Sequence, residues 1–216
     1  MRDNIIEKVE ENGIIVIVRG VEREKLIPLA EAMYAGGVRL LEITYSANGS
    51  IPDEQTAENI AMLAKHFAGR MHIGAGTVLS ERQVELTAAA GGGFIISPDT
   101  NPAVIKKARE LDLVSMPGAL TPTEIQTAHL AGADFIKLFP IDAFGPGYVK
   151  AVKAPLSHVK LLAVGGVNLE NMGSYRAAGA VGFGIGSSIV DKRLIDSGNF
   201  AEITRQAEAY TKAARG

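Results

Sequence analysis

The 216-residue sequence contains no cysteine. Disulfide frameworks, thiolate metal sites and cysteine nucleophiles are thereby excluded. An excess of one charge is also missing: 22 Lys and Arg face 24 Asp and Glu, for a formal net charge of −2. That balance leaves no basic footprint for nucleic acid, and the scatter of the cations argues against an anionic membrane surface. No apolar run approaches the ~20 residues needed to cross a bilayer. The opening MRDNIIEKVEENG has the pattern of a short amphipathic helix, not of a signal peptide, so a cytoplasmic location is expected. The histidines, His66, His72, His129 and His158, lack metal-ligand spacing, and there is no HExxH. Neither a metal nor another cofactor is expected.

What is present is a rhythm. Short β-branched runs alternate with longer segments of helical period. The strand candidates are Ile14–Arg19, Arg39–Thr44, His72–Gly76, Gly93–Ser97, Leu113–Pro117, Asp134–Phe139, Lys160–Val164 and Val181–Gly186. The helix candidates are Glu22–Ala35, Asp53–His66, Ser80–Ala90, Pro102–Glu110, Thr121–Leu130, Gly147–Val152, Leu169–Ala178 and Asn199–Ala214. Ser80 and Thr121 each stand three residues before Gln83 and Glu124, a capping-box spacing. Glycines just after helices, as in Ala35–Gly37, Ala90–Gly92, Ala131–Ala133 and Ala178–Ala180, fit left-handed C-terminal caps. Strand–helix alternation without hairpins implies a parallel sheet with right-handed crossovers. Eight units in 216 residues fit a (β/α)8 TIM barrel, preceded by the short N-terminal helix, better than a doubly wound open sheet. No low-complexity linker divides the chain, so residues 1–216 read as a single domain.

The candidate chemistry lies at the strand ends, where barrels gather it. Side chains alternate between interior and helix layer. Leu40, Glu42 and Thr44 share a face, as do Ile15, Ile17 and Arg19, and Phe135, Lys137 and Phe139. If those faces point inward, a carboxylate, an amine and a guanidinium converge. One reading is a buried Glu42–Lys137 ion pair, which rarely improves on apolar packing. The other is catalytic. A lysine held in an apolar pocket near Arg19 has its ammonium disfavoured, and the neutral amine attacks a carbonyl to form a Schiff base; Glu42 is then the general acid/base.

Glycine-rich ends follow the seventh and eighth strand candidates: AVGGVN, Ala163–Asn168, and GFGIGSS, Gly182–Ser188. Close backbone approach and a following helix N-terminus suit a phosphate there. IGAGT, Ile73–Thr77, fits close approach of a small substrate, with Thr77 as a hydrogen-bond donor.

Together, LEIT at Glu42, GAGTVL, ISP, MPG, TPTE, FIKLFP at Lys137, GGVN and GIGS resemble the family of 2-keto-3-deoxy-6-phosphogluconate and 4-hydroxy-2-oxoglutarate aldolases. The motifs run from first strand to eighth. The resemblance implies a homotrimeric, metal-free class I lyase that releases pyruvate plus an aldehyde. It implies Lys137 as Schiff-base former, Glu42 as acid/base, and Thr77, Pro98 and Phe139 around the pyruvate half. Gly165, Gly166, Gly186 and Ser187 match its phosphate-binding ends. Many members carry an arginine where this chain has Ser46, and Arg19 from the neighbouring strand is the expected substitute for holding the substrate carboxylate. Val164 stands where gluconate-type members often have threonine, which implies relaxed or galactonate-type stereospecificity, since losing a hydroxyl contact weakens discrimination. A phosphate-binding barrel isomerase or synthase, and a non-catalytic ligand-binding barrel, remain as alternatives.

Overall fold

The computed structural model describes residues 2–215. Helix α1 (Arg2–Asn12) leads into β1 (Ile14–Val18), after which strands and helices alternate: α2 (Arg23–Ala35), β2 (Leu40–Thr44), α3 (Asp53–His66), β3 (His72–Gly76), α4 (Glu81–Ala89), β4 (Phe94–Ile96) and α5 (Pro102–Glu110). The second half continues with β5 (Val114–Met116), β6 (Gly118–Ala119), α6 (Pro122–Leu130), β7 (Ile136–Leu138), α7 (Gly145–Lys153), β8 (Leu161–Val164), α8 (Met172–Ala177), β9 (Ala180–Ile185), α9 (Lys192–Asp196) and α10 (Phe200–Arg215).

All ladders are parallel, in the order β5-β4-β3-β2-β1-β9-β8-β7-β6. The two ends of that order, β5 and β6, are consecutive in sequence. They are one barrel strand broken at Pro117, which has no N–H to give the ladder. Val114–Met116 pairs with β4, and Gly118–Ala119 pairs with β7. Asp134 N–H donates to the Ser115 carbonyl at 3.0 Å and Lys137 N–H to that of Pro117 at 2.9 Å, which closes the cylinder. The single strand expected at Leu113–Pro117 is thus two, and the fold is a (β/α)8 TIM barrel.

Two apolar clusters follow from the alternation of strand side chains. The larger lies between strands and helices, with Val16, Leu41, Ile43, Ile73 and Leu138 meeting Leu29, Met33, Leu63 and Ile105. The smaller fills the barrel: Ile15, Leu40, Phe94, Val114, Phe135 and Leu162, joined from α1 by Ile5 and Val9. Helix α1 is therefore a stopper at the N-terminal end of the strands. Arg2 fixes it by pairing with Asp134, which also accepts the Ser115 N–H.

Local signals set several helix ends. Thr121 and Glu124 form a full capping box on α6. At α4 only half of one forms: Ser80 caps the Gln83 N–H, but the Gln83 side chain bonds the N–H of Leu79 instead. Gly37, Gly91, Gly132 and Gly179 all take positive φ, the left-handed turn that ends a helix. The helix expected at Leu169–Ala178 starts later, at Met172, because Asn168 bends its own backbone. Its side chain accepts from the N–H groups of Glu170 and Asn171, an Asx turn that competes with helix. Helix α7 runs longer than expected, and short α9 carried too little periodicity to be seen.

Candidate active site

Glu42 on β2 and Lys137 on β7 both point into the barrel. They share one cavity with Ile15, Ile17, Ile96, Leu162, Val164 and Gly184. Glu42 is 2% and Lys137 8% exposed, so both charged groups are withdrawn from water. In the parallel register Glu42 lies beside Ile17 of β1 and Gly74 of β3. Gly76, two residues on, explains how the carboxylate fits. A Cβ at Gly76 would overlap Glu42 Oε1. The glycine of GAGT thus makes room for the acid, whereas its pattern suggested room for substrate.

The pair is not a salt bridge: among the described residues, no Glu42–Lys137 contact falls within ion-pair distance. Glu42 Oε2 makes no hydrogen bond to the protein. Burial pushes the Glu42 carboxyl up to about 7, against the smaller opposing pull of Lys137 and Arg19. Burial likewise holds the Lys137 ammonium below its ordinary range, opposed by Glu42 and reinforced by Arg19. An acid whose proton comes off near neutrality and an amine easier to deprotonate are what proton shuttling and carbonyl attack require. Phe139, just past β7, places its ring centroid 4.7 Å from Lys137 Nζ. The electron-rich face of such a ring favours a cationic nitrogen. It suits an iminium as much as a free amine.

Arg19 and Thr77 sit at the mouth. Arg19 lies one residue beyond β1 and is exposed, so it overhangs the cavity and does not enter it. Its guanidinium donates to Thr77 Oγ1 at 3.2 Å, so the Thr77 oxygen here is an acceptor. Ser46 does not share this role. Its hydroxyl is spent within its own loop, on Asn48 and Ser50. Pro98 follows β4 but is absent from the cavity lining. Its carbonyl packs where a Cβ of Gly118 would stand.

Val164, Gly184 and Ile17 form a throat into a second cleft of about 360 Å³, lined by Phe139, Gly165, Gly166, Val167, Asn168, Gly186, Ser187 and Ser188. The four glycine and serine residues expected to receive phosphate are therefore together. Gly165 and Gly166 adopt φ of +104° and +65°, and a Cβ on Gly166 would lie 2.6 Å from that of Asp142. A helix N-terminus was expected behind each glycine run. After β9 there is instead a turn, with the N–H groups of Ile189 and Val190 on the Gly186 carbonyl, and α8 begins beyond the Asn168 turn. The cleft lining holds no Lys or Arg, so an anion there would rest on backbone N–H groups and serine hydroxyls. Ile17 was placed with Arg19 on one strand face, but neither it nor Gly184 was singled out as a site residue. Their signal was only the alternation in IIVIV and GFGIG.

A larger cavity, about 650 Å³, opens at the opposite end, around α1 and the start of β2 and β3. Its cations are already engaged: Arg39 on the carbonyls of Tyr34 and Val38, Lys8 on Glu11, Arg70 on Glu31 and Arg215 on Asn12. The chemistry is not there. Among the described residues, no three His, Asp or Glu side chains gather as a metal would require, and no helix is long and apolar enough to cross a membrane.

The model of KDPG and KHG aldolase matches residues 5–206. The chain belongs to the KDPG and KHG aldolase family. A 2-dehydro-3-deoxy-6-phosphogalactonate aldolase of Escherichia coli (strain K12) is 36% identical over 204 residues, covering 94% of each chain. A 2-dehydro-3-deoxy-phosphogluconate aldolase of Haemophilus influenzae (strain ATCC 51907 / DSM 11121 / KW20 / Rd) is 32% identical over 202 residues, 93% of this chain and 92% of the relative. A crystal structure of KDPG aldolase from Legionella pneumophila, with pyruvate captured at low pH as a covalent carbinolamine, superposes with a TM-score of 0.85. The identity there is 28%, with 97% of each chain covered. The family's barrel is thus the architecture seen here.

Proposed function

We propose that this chain is a class I aldolase that cleaves a 2-keto-3-deoxy-6-phospho sugar acid to pyruvate and glyceraldehyde 3-phosphate through a Schiff base on Lys137. A 4-hydroxy-2-oxoglutarate substrate, which would release glyoxylate, uses the same pyruvate half. The observation that carries the proposal is the shared burial of Lys137 and Glu42 in one apolar cavity without a salt bridge. Family membership supports it, as does the carbinolamine in the Legionella enzyme.

The neutral Lys137 amine adds to the C2 carbonyl, and loss of water leaves an iminium. Glu42, directly or through a water, takes the C4 hydroxyl proton. The C3–C4 bond breaks, its electron pair flows into the iminium, and the aldehyde leaves. The resulting enamine is reprotonated at C3, and hydrolysis frees pyruvate and the amine. Arg19 holds the substrate carboxylate, with Thr77 beside it; Pro98 supports this side through Gly118. The Gly165, Gly166, Gly186 and Ser187 cleft takes the phosphate. Val164, in the throat between the two, meets the C4 region with methyl groups. The similarity to the galactonate-type relative agrees with a galactonate-type or relaxed preference. The reading also takes residues 1–216 as one catalytic domain that works as a cytoplasmic homotrimer with no cofactor.

Borohydride with pyruvate tests the chemistry: it should fix pyruvate to the parent, and Lys137→Ala should abolish the adduct. An adduct retained by that variant would reassign the nucleophile. An isomerase, synthase or simple binding barrel would give no adduct in the parent. A comparison of kcat/KM on the two C4 epimers tests the role of Val164, and a strong gluconate preference counts against it.

A further inference from the structure

The cavity of about 650 Å³ at the stopper end of the barrel lies apart from the Glu42 and Lys137 site. Four cations line it, Lys8, Arg39, Arg70 and Arg215, against one lining carboxylate, Glu11. They come from four parts of the fold: α1, the residue before β2, the turn after α3 and the end of α10. Their pairing is unequal. Lys8 has Glu11 and Arg70 has Glu31, both surface pairs of small worth that an incoming anion can replace. Arg39 and Arg215 have no carboxylate among the described residues. Arg39 donates through Nη1 alone, to the carbonyls of Tyr34 and Val38 at 3.0 and 2.8 Å. Arg215 donates to Oδ1 of the buried Asn12 at 2.9 Å. Those neutral oxygens hold the guanidiniums without cancelling their charge. Arg39 is also stacked, with Cζ 4.3 Å from the Tyr34 ring centroid. It is thereby held still, while its Nε and Nη2 make no hydrogen bond among the described residues. A guanidinium fixed in this way is set to receive an oxyanion. His72, the first residue of β3, senses the same field: burial first, and the charge of Lys8 second, hold its imidazole below the ordinary range.

We propose that this cavity binds a multivalent phosphate anion, one with at least two phosphate groups, which ties α1 and the end of α10 to the starts of β2 and β3. Its volume is that of a small-molecule site and exceeds what one phosphate fills. Donors that converge from four elements suit tetrahedral oxyanions better than a planar carboxylate, which a single arginine edge satisfies. An anion that binds only the folded chain stabilises it by mass action. The site takes no part in bond cleavage and stands independently of the aldolase reading.

Inorganic pyrophosphate is the probe and His72 the reporter, because an anion in the Ser187 cleft is at the other end of the barrel. Proton NMR follows the four histidine rings against pH at low, fixed ionic strength, with His72→Gln assigning the signal. Bound pyrophosphate favours the imidazolium, so the His72 midpoint should rise while those of His129 and His158 stay in place. The pyrophosphate concentration that half-saturates the His72 shift should increase about 10- to 100-fold in Arg39→Met. It should increase about tenfold in Arg215→Met, a change at the last turn of a helix that leaves the fold intact. Arg82→Met, on α4, should leave it unaltered. An unmoved His72 midpoint in the parent overturns the proposal, even if dialysis detects binding, since the anion is then elsewhere. Half-saturation unchanged in both pocket variants, or shifted equally by Arg82→Met, overturns it too. Inorganic phosphate that half-saturates at the same concentration as pyrophosphate overturns the multivalent class.

Discussion

Glu42 has its place because Gly76 gives up its own side-chain space. Gly76→Ala should force the carboxylate off its position, since the added methyl coincides with Glu42 Oε1. The expected result is a kcat fall comparable with Glu42→Gln, about 10²–10⁴-fold, while some pyruvate adduct still forms on Lys137. The two variants should differ in stability. In the parent, the folded Glu42 keeps its proton up to about 7 against an ordinary 4.5. The unfolded chain releases that proton earlier, so the parent loses stability as pH rises through that window. Glu42→Gln carries no such penalty. Its Tm advantage should be absent at pH 4 and grow to the order of 5 °C by pH 8. A flat Tm difference across that range would contradict the buried protonated carboxyl. Glu42 and Lys137 were legible in the chain because a charge in an apolar alternating run has few innocent explanations. Ile17 and Gly184, which shape the throat, were not, because an apolar residue on an inward face carries no chemistry of its own to mark it as part of a site.

At the level of elements, α6 and β7 form the unit that delivers Lys137. The capping box of Thr121 and Glu124 starts that helix, and the Tyr148 hydroxyl ties α7 to the same turn through the Leu120 carbonyl. Thr121→Ala should cost about 1 kcal/mol, roughly 2–4 °C in Tm, with kcat/KM nearly unchanged; thermal melts beside a pyruvate-release assay check both halves. Elements were readable wherever periodicity and caps agreed, as at α6. They were misjudged where a local interaction outweighed propensity. Asn168 delays α8, and Pro117 splits one barrel strand in two, although both effects depend on ordinary rules of side-chain and proline hydrogen bonding. The cleft proposed for phosphate shows the same limit: glycine spacing picked out residues that do share one cleft, but not the turn that stands in place of a helix start.

Over the whole molecule, closure depends on contacts between elements far apart in sequence. Helix α10 docks on α2, with Thr204 Oγ1 donating to the Ala32 carbonyl and Thr211 Oγ1 to that of Gly36. A Cβ on Gly36 would lie 2.5 Å from that of Ala207 and 2.6 Å from the Thr204 carbonyl oxygen. Gly36→Ala should therefore push the last helix outward and destabilise the fold by about 1–3 kcal/mol, seen as a lower denaturation midpoint. No sequence pattern names such a pair in advance. The stopper made by α1 reaches further, into kinetics. With Ile5 and Val9 packed in the far end of the cylinder, the proposed reaction chamber is closed at that end. On the proposed mechanism the three-carbon fragment is tethered to Lys137, and the departing aldehyde would lie nearer the open end. Release must then be ordered, aldehyde first and keto acid last. Pyruvate should inhibit competitively and the aldehyde non-competitively; a random-order pattern would mean a second way out.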